Sequence, residues 1–380
     1  MESERDPKDW RADEGKSTRR TLLVGGAAAL TGACAEGSKA PAIHGAGGPR
    51  IRWRLASSFP ESLDAMYGTA KLLCSEVEAA TSGRFTIRPF PAGQLTPALG
   101  VLDAVQKGST EIGQTAGYYY TGKSNVLAFE TCVPFGLTPR QQTAWLDDGG
   151  GGELLAPIFA DFGVVSLPAG NTGAQMGGWF RRRVDSAADL KGLKMRIPGL
   201  GSKVMAELGV AVKSLAGGEI YTSLVLGAID ATEWVGPYDD MKMGFHEVAQ
   251  NYYYPGWWEP GPHLAFYVNK GDWDALPENY RAVLRMASRR SAAAMQSRYD
   301  AENPRALREI IARGVAVRPF AEDLMVQAKD ASEQLLSDQA ARDPEYARVL
   351  EHWRKFRKES FAWFGTAELG YARFAFGERV

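Results

Sequence analysis

Leu193-Lys-Met-Arg-Ile-Pro-Gly199 and Ala228-Ile-Asp-Ala-Thr-Glu-Trp-Val-Gly-Pro-Tyr-Asp-Asp240 bound the stretch that decides the fold. Leu193 to Ile197 reads as a strand, and Pro198-Gly-Leu-Gly-Ser202 leads into a helix to about Leu208. Val210 to Leu215 is the next strand. A helix from about Gly218 to Leu226 stops at Gly227, where a left-handed glycine can end it, and Ile229 to Val235 is strand again. Strands and helices alternating at this spacing specify an α/β class, with parallel sheets covered on both faces.

The same grammar extends outward. Ile51 to Ala56 alternates, and Ser62 is placed to cap a helix running to about Ala80. Arg84 to Phe90 alternates again, a helix from about Pro97 to Lys107 stops at Gly108, and Thr110 to Thr115 is a third strand. Gly163 to Pro168 is another. Residues 102–113 and 224–234 share the order helix, glycine, acid, strand, a symmetry of architecture without a sequence repeat. Two such units around one pocket imply two lobes with a hinge and a cleft. Lobe I is expected over 49–168, with 262–300 returning to it through the strand Leu264-Ala-Phe-Tyr-Val-Asn269. Lobe II is expected over 169–261, with 301–344 returning. Residues 345–380 read as a C-terminal helical extension, where Tyr346, Leu350, Trp353, Phe356, Phe364, Tyr371 and Phe374 recur at helical steps. That stripe has two readings: packing across the back of the protomer, or the interface of a homodimer.

With 380 residues, 45% hydrophobic and 23% charged, the chain has material for two cores. A net charge of -1 gives no sign of a nucleic-acid or anionic-membrane partner. The four histidines are spread singly, without zinc-site spacing, and there is no CxxC. Cys74 and Cys132 read as two buried thiols, with a disulfide between them as the alternative. Residues 1–48 read as an export signal and linker. Ser17-Thr-Arg-Arg-Thr-Leu-Leu23 precedes an apolar run too short for a stable membrane anchor and resembles a twin-arginine signal. Thr31-Gly-Ala-Cys34 matches a lipoprotein cleavage site only loosely, so ordinary signal peptidase cleavage and a soluble periplasmic protein are expected.

Glu233 and Trp234 stand where an apolar strand meets a Gly-Pro turn, and a buried acid there needs a positive partner. Arg196, near the end of its own strand, would share a rim with Glu233 if the two strands are parallel, since ligands of open α/β sheets sit beyond strand carboxyl ends. Its planar fork suits a carboxylate, although a lone rim arginine is more often just a salt-bridge partner. Gln175, in Asn171-Thr-Gly-Ala-Gln-Met-Gly-Gly178, and Glu259, in Tyr252-Tyr-Tyr-Pro-Gly-Trp-Trp-Glu-Pro-Gly261, join Glu233 as oxygen donors for a hard cation, with the carbonyl of Trp234 as a further one. Trp234, Trp257 and Trp258 could exclude water. Among Tyr118, Tyr119 and Tyr120, one hydroxyl is expected to reach the ligand, and the residues alone do not choose between them. Two glutamates and a bound carboxylate against one arginine leave a surplus of two negative charges, which favours calcium.

Four motifs in this order, Asn171-Thr-Gly-Ala-Gln-Met-Gly-Gly-Trp-Phe180, Asp189-Leu-Lys-Gly-Leu-Lys-Met-Arg-Ile-Pro-Gly199, Glu233-Trp-Val-Gly-Pro-Tyr-Asp-Asp240 and Tyr252-Tyr-Tyr-Pro-Gly-Trp-Trp-Glu-Pro-Gly261, resemble the solute-binding subunits of tripartite ATP-independent periplasmic (TRAP) transporters, and most of all the branch for 2-oxo acids such as pyruvate. The resemblance runs from about Ile51 to the C-terminus. It implies a receptor, not an enzyme, in which Arg196 clamps the carboxylate. A cation, sodium in this branch with calcium as the alternative, would be held by residues matching Gln175, Glu233, Trp234 and Glu259. Asn171 and one of the three tyrosines would complete the ligand shell, and a TRAP membrane permease would be the partner. Leu200 and Ser202 depart from a strict glycine run after Arg196. Two rivals remain at this point: an exported enzyme acting on a small carboxylic acid, and a sensory binding protein. The enzyme would need a poised nucleophile or base, and apart from His263 no histidine lies in these motifs.

Overall fold

The computed structural model describes residues 48–377. The export segment, with Cys34 and His44, lies outside the described residues. In chain order the strands are β1 (Ile51–Ser57), β2 (Phe85–Phe90), β3 (Ile112–Thr115), β4 (Val164–Asn171), β5 (Gly178–Phe180), β6 (Lys194–Arg196), β7 (Ala211–Lys213), β8 (Ala231–Thr232), β9 (Asn251–Tyr254), β10 (His263–Asn269) and β11 (Ala316–Pro319). They form two sheets, one in the order β2-β1-β3-β10-β4 and one in the order β11-β9-β5-β8-β6-β7. The core of the first half gathers Leu55, Phe59, Leu73, Val101, Ile112 and Phe266. That of the second gathers Phe180, Leu193, Met195, Val204, Tyr253 and Phe320. Each large side chain buried this way contributes about 1.5–3 kcal/mol.

The expected parallel pairing is present where β1 lies between β2 and β3 and where β6 lies between β7 and β8. β9 and β11 are parallel as well, but the expectation fails at two strands: β10 is antiparallel to β3 and β4, and β5 is antiparallel to β8 and β9. The cause is topological. The chain leaves the first sheet after β4 and returns to it after β9, and each crossing delivers a strand that runs against its new neighbours. The crossing segments, residues 172–177 and 255–262, are hydrogen-bonded together through Thr172 N to Pro262 O (3.1 Å) and Gln175 N to Glu259 O (3.2 Å). Gly256 has to be glycine there, because a Cβ would stand 2.6 Å from the carbonyl oxygen of Met176.

A third connection is the 35-residue helix Glu278–Ala312, which leads from the first half to β11. It packs on β4, on the helix Tyr67–Ala80 and on the short helix Pro237–Lys242. Its buried side recurs at three- and four-residue steps, but includes Ala287, Ser288, Ser291 and Ala306, so its hydropathy pattern is faint. The helix expected from Ser62 begins instead at Tyr67, with no side-chain cap at Met66. Buried Gln114 explains the delay. Its Nε2 donates to the carbonyl of Met66 (2.8 Å) and to Thr69 Oγ1 (2.9 Å), which holds residues 58–66 as a loop. Cys74 and Cys132 are both free and buried.

The C-terminal helix Pro344–Thr366 is capped by Asp343 and followed by the helix Glu368–Ala375. Its aromatic stripe divides. Tyr346 and Trp353 are buried against Phe129, at ring separations of 5.0 and 6.0 Å, so this part packs on the first half. Beyond it, Trp363 is 63% and Phe374 90% exposed. Trp353→Ala is therefore expected to lower the unfolding free energy by about 3–5 kcal/mol. Trp363→Ala should change it by no more than about 0.5 kcal/mol in urea titrations of the two variants.

Candidate functional site

Arg196 ends β6 and is almost fully buried. Its Nε donates to the carbonyl of Leu215 (3.1 Å), and its Nη1 donates to the main-chain oxygen of Glu233 (3.3 Å) and pairs with the Glu233 carboxylate. The register β6–β8 sets this meeting, since Arg196 lies opposite Thr232 in parallel strands. Trp234 lies beneath the guanidinium, with its ring 5.2 Å away. Gly178 lets β5 lie close against β8: its φ is +84°, and a Cβ there would lie 2.3 Å from the Thr232 carbonyl oxygen.

A small cavity lies at the junction of the two halves, lined by Met66, Tyr118, Tyr119, Thr172, Gln175, Arg196, Trp234, Val235 and Leu264. Its free space for the centre of a water molecule is about 10 Å³, roughly one water. Arg196, Gln175 and Trp234 thus share a wall with Tyr118 and Tyr119. Tyr120 is not there. Its hydroxyl bonds Thr115 Oγ1 (2.8 Å) and accepts from Leu102 N (3.1 Å), which locks it into the first half. Asn171 is not there either. Its Nδ2 donates to Gly261 O (3.0 Å) and its Oδ1 accepts from Gly173 N (2.9 Å), so the amide ties the crossing segments together. Trp257 stacks on Phe135 at 5.1 Å and lies against Trp258 at 4.8 Å, away from the cavity wall. Sequence reading missed Met66, Thr172, Val235 and Leu264. Thr172 lay inside a motif already singled out, whereas Met66 was hidden by the misplaced helix start.

Three buried acceptor oxygens at this junction have no hydrogen-bond partner: Gln175 Oε1, Glu233 Oε2 and Glu259 Oε2. Gln175 is oriented by its Nε2, which donates to Thr172 Oγ1 (3.0 Å). Among the described residues no group of three or more His, Cys, Asp or Glu side chains forms a metal site. The donor set here is different, two carboxylates and an amide, and hard oxygens left orphaned in a dry site are what an alkali or alkaline-earth cation requires.

The electrostatics agree. Burial pushes Glu233 up to about 7, against the pull of Arg196. Burial, then the neighbouring Glu233, hold Glu259 well above the usual carboxylate range. Burial alone would lower Arg196, but Glu233, the two tyrosines and Glu259 outweigh it and raise it. One guanidinium does not satisfy two buried acids. Behind the loop, Asp240 accepts from Trp179 Nε1 (2.8 Å), Tyr252 Oη (2.7 Å), and the main-chain N–H groups of Val235 and Gly236, fixing the turn that carries Glu233 and Trp234.

Comparison with known proteins gives four matches of weight. The family model for bacterial extracellular solute-binding protein, family 7, matches residues 56–343. A monocarboxylate 2-oxoacid-binding periplasmic protein of Nostoc sp. is 50% identical over 330 residues, covering 87% of this chain and 90% of that protein. A TRAP transporter solute-binding protein of Bordetella bronchiseptica, solved as a mixed-occupancy dimer with copurified calcium and picolinate, superposes with TM-score 0.85 at 41% identity over 86% of this chain and 98% of that one. One from Pseudoalteromonas atlantica, solved with sodium and pyruvate, gives TM-score 0.82 at 39% identity over 85% and 98%.

The raised Glu233 makes stability depend on pH in the protein stripped of cations. Between about pH 4.5 and 7 the unfolded chain has released this proton while the folded chain keeps it, so stability falls as pH rises through that window and levels off above it. Each such group contributes a slope of at most about 1.4 kcal/mol per pH unit. Urea midpoints of cation-free protein should show this decline, and Glu233→Gln should make it shallower.

Proposed function

Because the chain belongs to the bacterial extracellular solute-binding proteins of family 7, we propose that it is a TRAP receptor that captures a small 2-oxo monocarboxylate of the pyruvate type together with a cation. The observation that carries this reading is the buried arginine beside three unpartnered acceptor oxygens. Arg196 would take the ligand carboxylate. Tyr118 and Tyr119 line the same cavity and would offer a hydroxyl to the ligand, and Met66, Val235 and Leu264 would wall the site with apolar groups that limit the length of the acid. Gln175, Glu233, Glu259 and the carbonyl of Trp234 would hold the cation, which supplies positive charge for the ligand's oxygens. Sodium is our reading, as found with pyruvate in the Pseudoalteromonas protein. Calcium, found with picolinate in the Bordetella protein, would neutralise the site more fully, and metal analysis of the purified protein decides between them.

The arrangement couples the two ligands. Arg196 now pairs with Glu233. A carboxylate arriving alone would take Arg196 and leave Glu233 buried without a partner, a costly state. A cation arriving with it gives Glu233 a new partner, so each ligand should strengthen binding of the other by the same factor. The enzyme reading loses its one histidine, because His263 lines a different cavity, beside β4 and the long helix, and burial lowers it to about 4.

The two halves would act as lobes, 49–168 with 262–300 and 169–261 with 301–344, closing about the crossing segments and handing ligand to a membrane permease. Export would use the twin-arginine segment at 17–23. The exposed end of the C-terminal helices would join two copies, since Phe361, Phe364, Leu369, Tyr371 and Phe376 line a groove of about 880 Å³ and Phe374 stands free beside it.

Calorimetric titration with pyruvate tests the clamp. Arg196→Met should weaken binding at least about a hundredfold. The double variant Arg196→Met/Glu233→Gln should bind no better, although it removes the stranded acid; unchanged affinity in either would refute the assignment. In the unaltered protein, pyruvate affinity should rise with sodium or calcium and be lost after chelation and desalting. Light scattering tests the association: Trp363→Asp with Phe374→Asp should give a monomer where the unaltered chain gives a dimer.

A further inference from the structure

Asp64 belongs to the loop between β1 and the helix Tyr67–Ala80, in the first half. Three donors from elsewhere converge on its carboxylate. Tyr238 Oη lies 3.2 and 3.0 Å from its two oxygens, Lys242 pairs with it, and Arg298 Nη1 lies 2.6 Å away. Tyr238 and Lys242 sit on the short helix Pro237–Lys242 that follows Glu233 and Trp234 in the second half, and Arg298 sits on the long helix. Lys242 also lies over the Tyr238 ring at 3.6 Å. The short helix is itself fixed to the long one, because Tyr238 N donates to Asn303 Oδ1 (3.0 Å) and Tyr299 Oη donates to Asp239 (2.6 Å).

The position of this cluster gives it consequence. Met66 is two residues beyond Asp64, and Trp234 is three residues before Pro237. Both line the cavity beside Arg196. What fastens Asp64 to Tyr238 and Lys242 therefore fastens the Met66 wall to the Trp234 wall. We propose that Asp64 is the positioning residue of a clasp that holds Met66 over the carboxylate site and sets the fraction of receptor in the closed form. The proposal rests on the receptor reading above. Asp64 does not touch ligand in this scheme; it acts through the open–closed equilibrium, because Tyr238 and Lys242 lie across the cleft while Arg298, on its own side, holds the carboxylate in place.

The size of the effect follows from exposure. The side chains of Asp64, Lys242 and Arg298 are 43, 29 and 52% exposed, so each pair alone is weak and screened by salt. The Lys242 and Tyr238 contacts form only when the halves meet, so their worth enters the closed fraction, by which apparent affinity scales. Burial raises the Asp64 carboxyl, but the hydrogen bond and charge of Lys242, Tyr238 and Arg298 outweigh it and hold it below its ordinary value, so the clasp is charged throughout neutral pH. On another side of the junction, Lys203 donates to Asn125 Oδ1 (2.6 Å) and Asn125 to Gln339 (2.6 Å), a tie that does not involve the Met66 loop and serves as a comparison.

The test pairs a ligand-independent readout with a ligand-dependent one. Spin labels at Lys107→Cys and Lys191→Cys, on exposed positions of the two halves, report the separation of the halves without ligand. Asp64→Asn should shift the distance distribution toward longer values, and Asp64→Glu should restore part of it. With pyruvate in sodium or calcium, Asp64→Asn should weaken affinity roughly three- to tenfold through a faster off-rate, and the affinity should lose much of its dependence on ionic strength. Lys242→Met should weaken binding by itself and add little in the Asp64→Asn background. Urea midpoints that match the unaltered protein would separate this from general unfolding. An unchanged distance distribution in Asp64→Asn would overturn the clasp, as would fully additive effects of the two substitutions. If the unaltered protein binds no 2-oxo acid, the receptor reading fails, and the spin-label distances still decide the clasp.

Discussion

A guanidinium and two carboxyl groups share a space from which water is nearly excluded. Removing any of these charges from water costs several kcal/mol unless another group answers it. Arg196 answers Glu233 but cannot also satisfy Glu259, and the surplus of acid is the central fact of the molecule. Much of the surrounding structure serves to hold that arrangement still. The parallel register of β6 and β8 brings the arginine and the glutamate to one rim. Asp240 gathers four donors to fix the turn after Glu233. The indole of Trp234 covers the guanidinium face.

The crossings between the sheets explain where the remaining groups come from. Gln175 and Glu259 lie on the two segments that carry the chain out of the first sheet and back into it, and they are bonded to each other through the main chain. A site built this way samples both halves without long loops. The antiparallel strands β5 and β10, which run against their neighbours on entering each sheet, are the cost of that routing.

Much of the frame was legible in the sequence because it is local. Glycines at 108 and 227 end helices in the left-handed region, and the alternating strands around Trp53 and Ile87 announce themselves by period. The site was legible in part, because Arg196, Glu233, Gln175 and Glu259 are polar groups in apolar or glycine-rich stretches. What stayed hidden depends on three-dimensional neighbours. Nothing local distinguishes Tyr120 from Tyr118, and only the approach of Thr115 and Leu102 turns Tyr120 inward. Asn171 looks like a ligand donor in sequence, yet Gly261, ninety positions later, claims its amide. The Met66 loop imitates a helix start until Gln114 takes its carbonyl. The long helix is faint because alanine and serine fill its inner side where it lies close on β4, at Gly170 for example, where a Cβ would meet Met295.

That helix also has a mechanical meaning. It is a single helix of 35 residues, with Pro304 inside it, that packs both on β4 and on the Pro237–Lys242 helix. A rod seated on both halves resists their sliding past each other far more than it resists a pivot. Together with the two short crossing segments it would leave the halves of the proposed receptor few ways to move against each other. Ligand capture by the proposed receptor would then have little entropy of wandering to suppress.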